Sequence, residues 1–182
     1  MRHIVATSKV AGGGCPSWHI QVDALELLKM RWDMIIAHPP CTYLTTAGAI
    51  RVFNKDHTIK DQERYEKGIE AAKFFMAFYE ADCPKIAIEN PVPMKCFNLP
   101  PYSQIIEPYM FGDPGRKRTC LWLMGLPKLQ PTDMVEPTGY WIGAHGHDKA
   151  PHGMSKGFRD QRTRSKTFPG IAKAMAEQWG NL

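Results

Sequence analysis

Apolar positions along the chain gather in short runs separated by dense turn signals. Ile4-Val5-Ala6 is the first run, and the glycine-rich stretch Ala11-Gly12-Gly13-Gly14-Cys15-Pro16 after it reads as a loop. His19-Ile20-Gln21-Val22 alternates and predicts a short strand, and Asp23 is placed to cap a brief helix over 24–29. The run from Trp32 to Ala37 predicts a buried strand, stopped abruptly at His38-Pro39-Pro40-Cys41 because proline neither donates to a ladder nor tolerates its geometry. A polar loop with Thr42, Thr45, Thr46 and Gly48 follows. The clearest helix is predicted over 60–80. Tyr65, Ile69, Ala72, Met76 and Tyr79 recur at helical spacing, Thr58-x-x-Asp61 can cap its start, and Pro84 stops it.

Lys85 to Ile88 predicts a second buried strand, ending at Glu89-Asn90-Pro91. Residues 104–109 and 119–124 predict two later strands, with a Gly-Asp-Pro-Gly turn at 112–115 between them. Residues 127–160 are rich in proline, glycine, histidine and charge and predict a long loop. A last helix is predicted over 168–179, with Phe168, Ile171, Met175 and Trp179 on one face and Thr167 as its cap. Strands alternating with helices and then closing with two strands imply an α/β sheet in a single domain spanning 1–182. In such sheets ligands sit beyond the carboxyl ends of the strands. Two of these strands end in chemically loaded triplets, Pro39-Pro40-Cys41 and Glu89-Asn90-Pro91, which packing does not require.

Composition narrows the class. With 43% hydrophobic and 23% charged residues, the chain can bury a core, and general disorder is excluded. No apolar run approaches the ~20 residues of a membrane span. The five cysteines (Cys15, Cys41, Cys83, Cys96, Cys120) are odd in number and irregularly spaced, and no secretory signal is visible. A reduced, cytoplasmic setting follows. No CxxC pair exists, and His145, His147 and His152 read as a His/Gly loop rather than a metal site.

The net charge of +5 suits an anionic partner only mildly, but the cations are concentrated. One cluster is Arg116-Lys117-Arg118. Another gathers Lys156, Arg159, Arg162, Arg164 and Lys166, with Asp160 the one acid among them. On charge alone a solvated surface and a phosphate-binding surface both remain open.

Cys41 is set by two prolines at a strand end. As a nucleophile it must overcome a thiol pKa of about 8.5. His38 can assist, or can simply cap the strand. Glu89 closes an otherwise apolar strand, where a carboxylate is positioned for hydrogen bonding or proton sharing, or for capping the loop.

Taken together, Pro39-Pro40-Cys41, then Glu89-Asn90-Pro91, then Tyr109-Met110-Phe111-Gly112-Asp113-Pro114 running into basic residues resemble the C5-cytosine DNA methyltransferase family. The nearest likeness is to small phage and prophage DNA cytosine methylase-like proteins. The shared stretches are Trp-Asp-x-x-Ile-Ala-His-Pro-Pro-Cys-Thr-Tyr-Leu, Ile-Glu-Asn-Pro, Cys-Leu-Trp-Leu-x-Gly-Leu-Pro and Ser-Lys-Thr-Phe-Pro-Gly-Ile-Ala-x-Ala-Met-Ala, and the likeness covers about residues 18–180. It implies a reduced Rossmann-like methyltransferase sheet. The family's opening strand, Phe-x-Gly-x-Gly loop and helix have no counterpart before His19, so the first strand-helix unit is expected to be missing.

By this resemblance Cys41 adds to cytosine C6, and Glu89 contacts N3 and the exocyclic amine while the adduct forms. The methyl donor is S-adenosylmethionine, approached by Asp23, Pro39 and Phe168, and the partner is DNA, from which the base is flipped. Arg116, Lys117, Arg118, Arg162 and Arg164 would hold phosphates. In the family's Gln-x-Arg-x-Arg segment the aligned positions hold Gly115, Lys117 and Thr119, with Arg116 and Arg118 between them. Residues 127–166 stand where the family has a large target-recognition domain. A missing edge unit would expose apolar surface and favour a homo-oligomer or a partner chain that completes the cofactor site. Two other readings stay open: a catalytically silent nucleic-acid-binding protein, and a split enzyme completed by a second chain.

Overall fold

The computed structural model describes residues 19–137 and 167–182, together with three two-residue strands at Val5–Ala6, Tyr140–Trp141 and Ser155–Lys156. In chain order the strands are β1 (Val5–Ala6), β2 (His19–Ile20), β3 (Ile35–Ala37), β4 (Ile86–Asn90), β5 (Gln104–Ile106), β6 (Gly115–Arg116), β7 (Thr119–Met124), β8 (Tyr140–Trp141) and β9 (Ser155–Lys156). The helices are α1 (Ala24–Leu27), α2 (Ala49–Val52), α3 (Gln62–Tyr79) and α4 (Pro169–Trp179).

The central sheet has the order β3-β4-β7-β5. β3 and β4 run parallel, with Ile35, Ile36 and Ala37 opposite Ile86, Ala87 and Ile88. β7 runs antiparallel to both β4 and β5. The chain is therefore mixed α/β with an open, mixed four-stranded sheet. β1 and β2 form a separate parallel pair, and β6, β8 and β9 a small parallel sheet.

Strand alternation divides the core in two. Ile86 and Ile88 of β4, with Cys120 and Trp122 of β7, face α3 and pack with Phe75 and Phe78. Ala87 and Leu121 point the other way and pack with Ile171, Ala174, Met175 and Trp179 of α4. The sheet is thus covered on both faces, which explains why β4 and β7 read as continuous apolar runs.

Several expectations are corrected. β3 is shorter than the apolar run and lies at the sheet edge, so Ile36 is 43% exposed rather than buried. The loop after Cys41 contains a 3-10 turn at Thr46–Gly48 and the short α2. The buried face of α3 is centred on Gly68, Phe75 and Phe78, while Ile69 is exposed, because the helix approaches Phe97 closely at Gly68. Asp61 alone caps α3, accepting from Arg64 N at 2.9 Å, and Thr58 instead bonds Asp56. Phe168, not Thr167, occupies the N-cap position of α4. Residues 108–110 form a 3-10 turn rather than the end of β5. Of the long loop, 127–137 is irregular and 140–141 and 155–156 are strands, and the remainder lies outside the described residues. Among the described residues no helix is long and apolar enough to cross a membrane.

Candidate functional site

The two loaded triplets emerge side by side. Because β3 and β4 are parallel and in register, the residues after Ala37 and Ile88 leave the same end of the sheet together. Alternation then sends His38 and Glu89 to one face. His38 Nδ1 and Glu89 Oε2 lie 2.6 Å apart. Asn90, one residue on, points to the opposite face and is 1% exposed. Its Nδ2 donates to the Pro39 carbonyl at 2.9 Å, pinning the backbone two residues before Cys41.

The two following loops are also tied together. Met94 N–H donates to Leu44 O at 2.7 Å, Thr46 N–H donates to Val92 O at 3.0 Å, and Thr45 and Pro93 form an isolated bridge. Cys41 opens this segment in a turn that closes through Leu44 N–H to Cys41 O at 3.1 Å. The placement of Cys41 is fixed from both sides, by the Asn90 side chain and by the paired loops.

Glu89 receives a second partner from the turn before β7. Lys117 Nζ stands 3.9 Å from Glu89 Oε1 and 5.8 Å from the centre of the Phe168 ring. The Glu89 side chain is 14% exposed and that of Lys117 is 17%, whereas that of His38 is 44%. Burial alone would raise the Glu89 pKa, but the His38 hydrogen bond and the charges of His38 and Lys117 outweigh it and hold the carboxyl below its ordinary range. Glu89 is therefore an ionised carboxylate, hydrogen-bonded at Oε2 and ion-paired at longer range through Oε1.

The described cysteines differ in their surroundings. Cys120 is fully buried in the α3-side core, and burial pushes its thiol up to about 11. The Cys83 thiol sits 3.3 Å from both Trp32 O and Lys85 O, and Cys96 is exposed, its thiol pKa raised by partial desolvation. Cys41 follows the end of β3 and is half-buried. No disulfide joins the described cysteines.

Other predicted residues disperse. Asp23 is exposed and caps α1, accepting from Leu25 N at 3.0 Å. Pro39 is buried with its carbonyl taken by Asn90. Phe168 joins the site through Lys117. Of the three residues that the resemblance assigns to the methyl donor, Pro39 and Phe168 thus border the Glu89 group and Asp23 stands at the start of α1. The basic triplet also divides. Arg116 lies over the Tyr109 ring at 5.4 Å, Lys117 turns to Glu89, and Arg118 is exposed. Arg162 and Arg164 lie outside the described residues, as do Gly12-Gly13-Gly14 and the loop histidines. Among the described residues no group of three or more His, Cys, Asp or Glu could hold a metal ion.

The structure adds residues the sequence did not single out. Arg64 Nη2 donates to Thr42 O at 3.2 Å, and its guanidinium lies 4.9 Å from the centre of the Tyr43 ring. A side chain of α3 thereby braces the segment that follows Cys41. Nothing in the local sequence announces a contact across 22 residues. The Asn90 role was nearer to hand, because a polar residue in line with Ile86 and Ile88 must find a buried partner.

No protein-family model, curated protein or solved structure matches the chain.

Proposed function

We propose that the chain is a reduced C5-cytosine methyltransferase-like protein acting on DNA in the cytoplasm, host-cell cytoplasm if it is phage-encoded, with Cys41 as the nucleophile and Glu89 as the anionic anchor of the polar group that faces the base. One observation carries the reading. The Pro-Pro-Cys and Glu-Asn-Pro segments, some fifty residues apart in sequence, leave adjacent parallel strands together and are cross-linked by His38–Glu89 and Asn90–Pro39. Cytosine C5 is too weak a nucleophile to be alkylated unaided. A thiolate adding to C6 makes C4–C5 an enamine, and that step needs a fixed thiol and a polar group at the far edge of the ring. Both requirements have residues here.

The sheet supports a Rossmann-like reading that begins at the Pro-Pro-Cys strand, short of a first strand-helix unit. Of the residues assigned to S-adenosylmethionine, Pro39 and Phe168 border the Glu89 group and Asp23 caps α1. The half of the chemistry that these residues supply is base capture. Completion of the donor half by a second chain is the reading favoured by β3, which pairs with β4 alone among the described residues and leaves Ile36 exposed.

The test needs no cofactor. Duplex and single-stranded oligonucleotides carrying 5-azacytosine are incubated with the full chain, and the products are digested and weighed. A covalent adduct on the peptide containing Cys41, absent from Cys41→Ser, is the expected result. A chain that binds the oligonucleotide but forms no adduct is the silent nucleic-acid-binding protein. Calorimetry with S-adenosylmethionine, alone and at rising protein concentration, then reports whether the donor site needs a second copy.

A further inference from the structure

Glu89 Oε2 is bonded to His38 Nδ1 at 2.6 Å, and Oε1 stands 3.9 Å from Lys117 Nζ, an ion-pair distance. A carboxyl held ionised in this way has no proton to give a substrate. His38 is better placed. It is the most exposed of the three side chains, and among the described residues only its Nδ1 has a hydrogen-bond partner. A carboxylate behind one ring nitrogen fixes the orientation of an imidazole. In the imidazolium form the other nitrogen, Nε2, carries the second ring proton.

The spacing of His38 and Cys41 fits this. His38 and Pro39 each precede a proline, which restricts both to extended backbone, and Pro39 and Pro40 have φ fixed. Extended proline segments turn once in three residues, rising ~3.1 Å per residue, so positions i and i+3 share a side about 9 Å apart along the axis. That separation leaves room for a flat ring between the two side chains, touched at opposite edges.

We propose that His38 is a catalytic residue of this site, its Nε2–H meeting N3 of the captured cytosine, with Glu89 and Lys117 as positioning residues that act through it. This rests on the proposed function. In the step, the Cys41 thiolate forms the Sγ–C6 bond. The C5–C6 pair becomes the C4–C5 double bond, and the C4–N3 π pair moves to N3, which takes the proton from His38 Nε2. When C5 takes up a proton from water, N3 returns its proton to Nε2 and C4–N3 is restored as a double bond. Loss of the original C5 hydrogen to water then reforms C5–C6 and expels the thiolate. The net result is exchange of the C5 hydrogen with solvent, with no oxidant, reductant or donor consumed.

The experiment is tritium release from [5-³H]cytosine oligonucleotides by the full chain without cofactor, across pH. His38→Asn is the informative variant, because its amide nitrogen replaces Nδ1 toward Glu89 while nothing replaces Nε2. Wild type releases tritium and Cys41→Ser does not. His38→Asn melts cooperatively with an unchanged circular-dichroism spectrum and keeps its oligonucleotide affinity but exchanges about 100-fold more slowly, and loses the imidazole-dependent limb of the pH profile. His38→Gly regains exchange on addition of imidazole. Undiminished exchange by a folded His38→Asn, or no imidazole rescue of His38→Gly, overturns the inference and leaves the proposed function standing. No release by wild type, or release that survives Cys41→Ser, overturns the proposed function and the inference with it.

Discussion

Asn90 Nδ2 and the carbonyl of Pro39 are joined at 2.9 Å across the ends of two parallel strands, with the Asn90 side chain 1% exposed. This bond ties the strand that carries Glu89 to the backbone that carries Cys41.

Asn90→Leu is accordingly expected to destabilise the fold by about 1–3 kcal/mol, the usual cost of leaving a buried carbonyl unpaired. Urea unfolding with an unchanged m-value checks this. In the same variant the adduct-forming rate of Cys41 should fall further than the fraction folded does, since the loop loses its anchor.

Glu89 sets a pH dependence of stability. Its carboxyl titrates lower in the folded chain than in the unfolded one, through the His38 bond and the His38 and Lys117 charges against the opposing effect of burial. The unfolded chain therefore binds the proton first on acidification. The stabilisation is complete above the ordinary glutamate range and is lost as pH falls through the lower folded value. Glu89→Gln should flatten this acid limb while leaving stability above it lower than wild type, as read from melting curves at stepped pH.

Gly68 is the place where α3 meets Phe97. A Cβ there would run into the Phe97 ring, which is 8% exposed and stacked on Tyr65 with centroids 5.7 Å apart. Gly68→Ala should gain roughly 1 kcal/mol of helix propensity. Overpacking, typically ~1–3 kcal/mol, should outweigh it. Denaturant titration is expected to show net loss, and Gly68→Ala combined with Phe97→Leu should recover part of it.

The basic turn offers a graded test of nucleic-acid binding. Arg118 is exposed, so Arg118→Ala should leave the melting temperature unchanged. If it meets a phosphate, the variant weakens oligonucleotide binding and lowers the slope of log K against log salt by about 1. Fluorescence anisotropy at several salt concentrations measures both, and an unchanged slope removes Arg118 from the interface.

Ile36 tests the completion of the site by a second copy. Its 43% exposure on an edge strand predicts that Ile36→Lys folds normally. If a second copy pairs at that edge, sedimentation should show self-association in wild type and monomer in Ile36→Lys.

The sequence made the triplets legible because each stands where an apolar run stops, and the pairing of Ile86 and Ile88 with α3 follows from β alternation. It did not reveal that His38 and Glu89 would meet. That contact depends on β3 and β4 being parallel neighbours in one register, a non-local fact with no local trace. The edge position of β3 was hidden for a similar reason, since an edge strand and a central strand can carry the same apolar run. The face of α3 was displaced because Gly68, silent in any hydrophobic pattern, is the closest point of approach. The split of Arg116, Lys117 and Arg118 among Tyr109, Glu89 and solvent depended on the turn into β7, which charge counting cannot resolve.

The insertion of β7 between β4 and β5 has a consequence for synthesis. During translation β5 leaves the ribosome before β7 does, and cannot bond to β4 because β7 will take that place. Its edge stays unpaired until residues 119–124 arrive. The face bearing Ala87 and Leu121 waits longer still, for α4, whose Trp179 is fully buried against it. Because these pairings are distant in sequence, folding should be slow relative to a helical chain of this length. The nascent sheet carries an uncovered apolar face until α4 emerges, which makes a stalled or prematurely released chain an early target for chaperones and aggregation.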